Sequence, residues 1–276
     1  MAELRQDLLE KYNSLLDYFK DLKNVAVAYS SGVDSTFLVY AMHEALGDEG
    51  MAVTVSAGMV PGREIEEAKK YCKGLGVRHK IIEVDEGAIS HFAENPTDRC
   101  YHCKKALFTE IIKQAKENGI FNVAEGSNLD DLGDYRPGLK AISELEVKSP
   151  LRELGFTKQD IRDISAYLGL STAAKPSFAC LASRIPYGEE ITREKLLMVD
   201  KAEVMLLDKG FKQFRVRAHG NVARIELLPE DFARMMDQAL RDEIYNKFIE
   251  FGFSYVAMDL KGYRTGSLNE TIGDIK

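Results

Sequence analysis

From residue 24 onward, short apolar runs alternate with longer stretches of helical periodicity. Asn24–Tyr29 (NVAVAY) reads as a buried strand that stops at Ser30-Ser31-Gly32, and a helical pattern follows from about Asp34 to Leu46. Met51–Ser56 predicts a second strand, and Pro61 opens a helix ending near Gly74, with Ile65, Ala68, Cys72 and Leu75 on one apolar face. Arg78–Val84 reads as a third strand, Tyr101–Asn118 as a helix stopped by Gly119, and Phe121–Glu125 as a fourth strand. Thr157 caps a helix to about Leu168, with Gly169 beyond its end. Strands alternating with helices predict an α/β fold, a parallel sheet covered on both faces.

After about Arg184 the pattern changes. A helix over Thr192–Lys209 is followed by alternating strands at Lys212–Ala218 and Val222–Leu227, then a helix from about Pro229 and a strand at Phe253–Asp259. This α-β-β-α-β order predicts a smaller α+β domain. The boundary falls near Pro186-Tyr187-Gly188, giving expected domains of residues 1–184 and 185–276.

Composition narrows the class. The 276 residues suggest one large or two ordinary domains at about 150 residues each. A net charge of −7, from 37 basic and 44 acidic side chains, argues against a protein whose main task is gripping nucleic acid. No apolar stretch reaches the roughly 20 residues that span a bilayer, and the first 22 residues read as an amphipathic helix rather than a signal peptide. The expectation is a cytoplasmic protein with no membrane partner. Four cysteines are too few for a disulfide scaffold in a chain of this length and read as core thiols or as metal or cluster ligands.

The sharpest motif is Ser30-Ser31-Gly32-Val33-Asp34-Ser35, between a buried strand and a helix. Small residues let backbone N–H groups approach phosphate oxygens, the helix N-terminus adds partial positive charge, and the serine hydroxyls donate further bonds. Asp34 suits a phosphate loop if it meets the phosphates through Mg²⁺. The structural alternative is an ordinary strand-to-helix turn with Asp34 and Ser35 as caps. A second segment, Gly126-Ser127-Asn128-Leu129-Asp130-Asp131, follows the fourth strand, and Ser56 closes the second. All three lie at carboxyl ends of strands, where open α/β sheets bind ligands. The chain carries neither the G-x-x-x-x-G-K-[ST] loop nor the G-x-G-x-x-G fingerprint.

The loop resembles the S-G-G-x-D-S loop of the ATP pyrophosphatase (PP-loop) enzymes, with Ser31 where that pattern has its first glycine. Asp134-Tyr135-Arg136-Pro137-Gly138, Ser149-Pro150-Leu151-Arg152-Glu153-Leu154-Gly155, Cys180-Leu181-Ala182-Ser183-Arg184-Ile185-Pro186-Tyr187-Gly188 and Phe214-Arg215-Val216-Arg217-Ala218-His219 resemble the LarE sulfur transferases along nearly the whole chain. The resemblance implies ATP cleavage between the α and β phosphates. It also implies adenylation of the carboxylates of pyridinium-3,5-biscarboxylic acid mononucleotide, and their conversion to thiocarboxylates for the nickel-pincer nucleotide cofactor. It gives Ser30, Ser31, Gly32, Asp34, Ser35, Ser56, Gly126 and Asn128 to ATP and Mg²⁺, and a functional role to Lys104. Arg136, Ser183, Arg184, Arg215 and Arg217 become substrate contacts, Glu203 and Glu226 positions associated with divalent metal, and self-association into a homo-oligomer is expected.

Each of these has a structural alternative in the residues themselves. Period-two alternation puts Arg215, Arg217 and His219 on one strand face, which fits a solvated sheet surface as well as an anion site. Glu203 and Glu226 fit structural salt bridges. Lys104 lies near a helix start, where a cation opposes the macrodipole unless an anion is near, and it also fits a solvated surface lysine. Cys72 reads as a core thiol. Cys100 and Cys103 form a CxxC, a spacing shared by zinc, redox disulfides and clusters. With Cys180, the resemblance is to the LarE type whose three cysteines bind a [4Fe-4S] cluster, rather than the type that sacrifices the sulfur of its single cysteine. The competing functions are a PP-loop tRNA thiolase using paired cysteines and a non-catalytic sensor of nucleotide and cluster.

Overall fold

A computed structural model of the chain describes residues 4–133, 137–176 and 180–271. The chain divides into two compact units, one of residues 1–85 with 100–178 and one of 86–99 with 179–276. Relative to a cut at 184, residues 86–99 and 179–184 fall in the second unit. Asn95 is the physical reason: its side-chain amide donates to the carbonyls of Ile185, Pro186 and Glu189, and Arg99 donates to the Asn95 side chain and to the Ala182 carbonyl. No periodicity marks this turn-rich segment.

The first unit is built from α1 (Gln6–Leu22), β1 (Val25–Ala28), α2 (Val33–Leu46), β2 (Gly50–Ser56), α3 (Gly62–Leu75), β3 (Arg78–Glu83), α4 (Arg99–Glu117), β4 (Val123–Ala124), α5 (Gly138–Glu144), α6 (Pro150–Glu153) and α7 (Lys158–Tyr167). Its four strands are all parallel, in the order β3-β2-β1-β4. Strand β1 is buried on both faces. Val25 and Val27 enter a core with α1, α2, α3 and α7, while Ala26 enters a second core with Phe108, Ile111 and Ala115 of α4 and Ile142 of α5. Two helical layers therefore sandwich the sheet, as the strand–helix alternation predicts. The fourth strand is two residues, against the five expected. Its ladder passes to Lys148, which bridges Ala124 in parallel, so the apolar run overstates the paired length.

The second unit contains α8 (Arg193–Asp208), β5 (Phe214–His219), β6 (Val222–Leu227), α9 (Phe232–Met235), α10 (Gln238–Phe251) and β7 (Tyr255–Met258). Strands β5 and β6 are antiparallel, and β7 joins β6 in parallel. The single helix expected from Pro229 is instead a 3₁₀ turn, α9 and α10. Asp237 interrupts it by capping α10, its carboxylate accepting from the Leu240 N–H at 2.9 Å.

Helix α7 matters for the site because its first residue, Lys158, reaches the phosphate loop. Thr157 closes a reciprocal capping box with Asp160, and Lys11 fixes the Asp160 carboxylate at 2.7 Å. Thr157→Ala is expected to cost about 1 kcal/mol and Thr157→Ser much less. The midpoint of urea unfolding checks this; equal midpoints for the two variants would remove the cap from the account.

Candidate nucleotide site

The loop after β1 is shaped by its own serines. The Ser30 backbone N–H and hydroxyl meet the Ser35 hydroxyl at 3.3 and 3.2 Å, and the Thr36 N–H bonds to the Gly32 carbonyl as α2 begins. Ser31 takes φ of +53°, the left-handed region. The second segment packs directly on this loop. A Cβ at Gly126 would stand 3.2 Å from the Ser35 nitrogen and 3.3 Å from the Asp34 Cβ, closer than side chains ordinarily pack. Asn128 turns its side-chain amide to Asp34 Oδ1 at 3.4 Å, while its own carbonyl oxygen accepts from the Asp130 N–H.

Beside the loop lies a cavity of about 370 Å³, within the roughly 300–1,000 Å³ of small-ligand sites. One part of its wall is apolar, with Val53, Val55, Leu107, Phe108 and Ile111, and the rest is polar, with Ser30, Asp34, Ser35, Lys104 and Glu125. Its wall comes from residues between 28 and 64 and between 104 and 131, all of the first unit.

Asp34 is the electrostatic centre. Burial raises its carboxyl above the ordinary range, and the Lys158 ammonium, 2.5 Å from Oδ2, opposes that rise. Lys104 sits in the second turn of α4, and Gly138 leaves room for its chain, since a Cβ there would come 2.7 Å from Lys104 Cδ. Its ammonium lies 3.8 Å from Glu125, a buried carboxylate that also accepts from Ser127 and Ser149 at 2.7 and 2.6 Å. The anion that a lysine near a helix start calls for is thus present in the protein.

Of the residues assigned to nucleotide, Ser30, Gly32, Asp34, Ser35 and Gly126 line the cavity. Ser31 is buried behind it, Asn128 is reached through Asp34, and Ser56 ends β2 with its carbonyl accepting from the Val84 N–H. Arg136 lies outside the described residues. Sequence reasoning missed Lys158, Glu125 and Glu64. Lys158 carried a readable signal, a cation directly after a helix cap, which is the signal used for Lys104.

In the second unit the charged candidate side chains are buried. Arg184, 1% exposed, holds Glu203 with two bonds of 2.8 and 3.0 Å and also donates to the Ser183 hydroxyl and the Cys180 carbonyl. Arg217 holds Glu226 at 2.6 and 3.1 Å and donates to the Ser183 carbonyl at 2.8 Å. Arg215 donates to the Phe214 carbonyl and lies over the Tyr263 ring; burial and the neighbouring Arg184 lower it to about 10. The strand face is therefore not a solvated surface. Nor is it an open row of cations, because Glu203 and Glu226 neutralise it from within. Both carboxylates pair with arginines, with Arg224 also on Glu226, which is the geometry of the salt-bridge alternative.

The cysteines divide as follows. Cys72 is a buried core thiol, raised to about 12 by burial. Cys100 belongs to the first turn of α4 and Cys103 to the second, where i,i+3 spacing puts them on one face, Cys100 exposed and Cys103 half-buried. Cys180 is exposed and precedes the 3₁₀ turn Leu181–Arg184 of the second unit. Among the described residues, no group of three or more His, Cys, Asp or Glu side chains is gathered as a metal ion requires.

No protein-family model matches the chain. It is 41% identical over 266 residues to an uncharacterized protein of Synechocystis sp., covering 96% of this chain and 99% of that one. It is 36% identical over 267 residues to the pyridinium-3,5-bisthiocarboxylic acid mononucleotide synthase of Lactiplantibacillus plantarum, covering 96% of each. An uncharacterized protein of Methanocaldococcus jannaschii is 30% identical over 94% of this chain and 97% of its own. More distant likenesses, to an argininosuccinate synthase and to tRNA-specific 2-thiouridylases, cover 54% and 55% of the chain and put the sheet, loop and cavity in the PP-loop class of ATP-using enzymes. Within that class, the chain belongs to the LarE family of sulfur transferases.

The Arg184–Glu203 pair predicts a pH effect. Burial alone would raise the Glu203 carboxyl, but the charge and hydrogen bonds of Arg184 outweigh it and hold it below the ordinary range. Its stabilisation is then complete above the unfolded glutamate value of about 4.3 and is lost as pH falls through the lower folded value. Glu203→Gln is expected to cost about 3 kcal/mol at pH 7. Urea unfolding at several pH values should show the gap between native chain and variant closing on acidification. A gap that widens toward low pH would contradict the sign.

Proposed function

We propose that the chain adenylates the carboxylates of pyridinium-3,5-biscarboxylic acid mononucleotide and replaces a carboxylate oxygen with sulfur. The observation that carries this reading is the 36% identity, over 96% of both chains, to a synthase named for the corresponding bisthiocarboxylic acid mononucleotide. The 2-thiouridylases match just over half of the chain, whereas the synthase matches nearly all of it.

The phosphate loop and the start of α2 receive the ATP phosphates through backbone N–H groups and the serine hydroxyls. Asp34 is the residue that would hold a phosphate-bound Mg²⁺, and Lys158, its partner in the structure, is the nearby cation for the leaving pyrophosphate. The substrate carboxylate attacks the α-phosphorus and pyrophosphate leaves. A sulfur nucleophile then attacks the activated carbonyl carbon, and AMP departs with the original carboxylate oxygen. AMP is the better leaving group, which is the reason for spending ATP. Lys104, in the same cavity wall as Asp34, supplies positive charge as the phosphoryl group transfers. Ser183, Arg184, Arg215 and Arg217 are assigned to the substrate side of the reaction, Arg184 and Arg217 by fixing the turn that carries Cys180.

For sulfur delivery we assign Cys100, Cys103 and Cys180 to a [4Fe-4S] cluster. What supports this assignment is the i,i+3 spacing of Cys100 and Cys103 on one face of α4 and the exposure of Cys100 and Cys180. Cys100, Cys103 and Cys180 would hold such a cluster, which would supply an iron able to carry the sulfide to be transferred. The protein is assigned to an ATP-dependent, AMP- and pyrophosphate-forming enzyme class acting as a homo-oligomer. No described helix is long and apolar enough to cross a membrane.

Product analysis tests the function. Pyrophosphate and AMP are expected only when the biscarboxylated nucleotide is present, and Asp34→Ala should lower their formation at least a hundredfold. ADP and phosphate as products would overturn the reading. For the cluster, Cys100→Ala, Cys103→Ala and Cys180→Ala should each abolish broad visible absorbance after anaerobic loading, while Cys72→Ala keeps it. Conversion of Cys180 to dehydroalanine after turnover of iron-loaded protein would restore the sacrificial route.

A further inference from the structure

The phosphate loop contains a residue in a conformation that its side chain opposes. Ser31 has φ of +53° and is 2% exposed, in a region that glycine enters freely and a residue with a Cβ does not. Two side chains hold it there. Its hydroxyl donates to Glu64 Oε2 at 3.0 Å, and its carbonyl accepts from the Lys175 ammonium at 3.0 Å. Glu64 lies in the first turn of α3 and is 9% exposed, while Lys175 stands 3.8 Å from Glu64 and also bonds to Glu67. Both the side chain and the backbone of Ser31 are therefore anchored outside the loop. If Ser31 left the left-handed region, the peptide units on either side would turn, including the Gly32 N–H at the head of α2. Those are the groups that a phosphate loop must keep aimed at its ligand.

We propose that Glu64 is a positioning residue that holds the phosphate loop in its ATP-binding form by gripping the Ser31 hydroxyl. Glycine at position 31 would take this conformation without help, so the need for Glu64 exists only because a serine is there. This rests on the ATP reading of the cavity. Glu64 also borders that cavity, so the competing role is direct contact with nucleotide or with its Mg²⁺. The two roles differ in what rescues a loss.

Calorimetric titration of the full chain with ATP and Mg²⁺ separates them. Glu64→Ala is expected to weaken ATP binding about tenfold, whereas Glu64→Gln should keep most of the affinity, because its amide oxygen still accepts from Ser31. Introduced on top of Ser31→Gly, the Glu64→Ala change should cost less than twofold, whatever Ser31→Gly does by itself. An equal loss from Glu64→Ala in both backgrounds, or a Glu64→Gln loss as large as that of Glu64→Ala, would overturn the proposal in favour of direct contact. The same cycle read by urea unfolding without nucleotide should show coupling of the same sign, and absence of coupling there would also overturn it. If the native chain failed to bind ATP while the unfolding cycle still showed the coupling, the nucleotide reading would fall and the grip on Ser31 would stand.

Discussion

The site depends on keeping a charged aspartate at the carboxyl end of a buried parallel strand. Asp34 sits at the start of α2, where burial favours its neutral form, and the Lys158 ammonium at 2.5 Å works against that penalty. Most of the surrounding architecture serves this pair. The Thr157–Asp160 box fixes the start of α7, from which Lys158 extends, and Gly126 lets the second segment approach close enough for Asn128 to reach the same carboxylate. A paired aspartate beside aimed backbone N–H groups is suited to a divalent cation bound to polyphosphate, because such a cation can take over the neutralisation that the lysine provides.

The second unit solves a different problem with the same physics. Its turn at Cys180 presents an exposed sulfur on a short 3₁₀ segment, a geometry with few hydrogen bonds of its own. Arg184 and Arg217 reach that turn from beneath and are held by Glu203 and Glu226 on their other edges. Buried pairs of this kind add little net stability over an apolar core, yet they fix direction. Here the direction fixed is that of the segment carrying the sulfur.

The parallel sheet, its helical cover and the phosphate loop were legible because each leaves a local trace: a continuous apolar run in β1, helical spacing around Cys72, small residues at 30–32. The burial of Arg215 and Arg217 was not legible. Alternation separates the two faces of a strand but does not say that the polar face is covered, and the covering carboxylate, Glu203, comes from a helix whose pattern names no partner. The passage of residues 86–99 into the second unit was equally hidden, since Asn95 acts through backbone carbonyls that any sequence would present. Glu64 was invisible for a third reason, since its meaning depends on the φ of Ser31.

The central claim is that a substrate carboxylate oxygen becomes an oxygen of AMP. Mass spectrometry of turnover with substrate labelled by ¹⁸O in its carboxylates tests it directly. The account predicts that the released AMP carries one ¹⁸O on its phosphoryl group and that the pyrophosphate carries none. Unlabelled AMP, or label in inorganic phosphate, would contradict adenylation of the carboxylate.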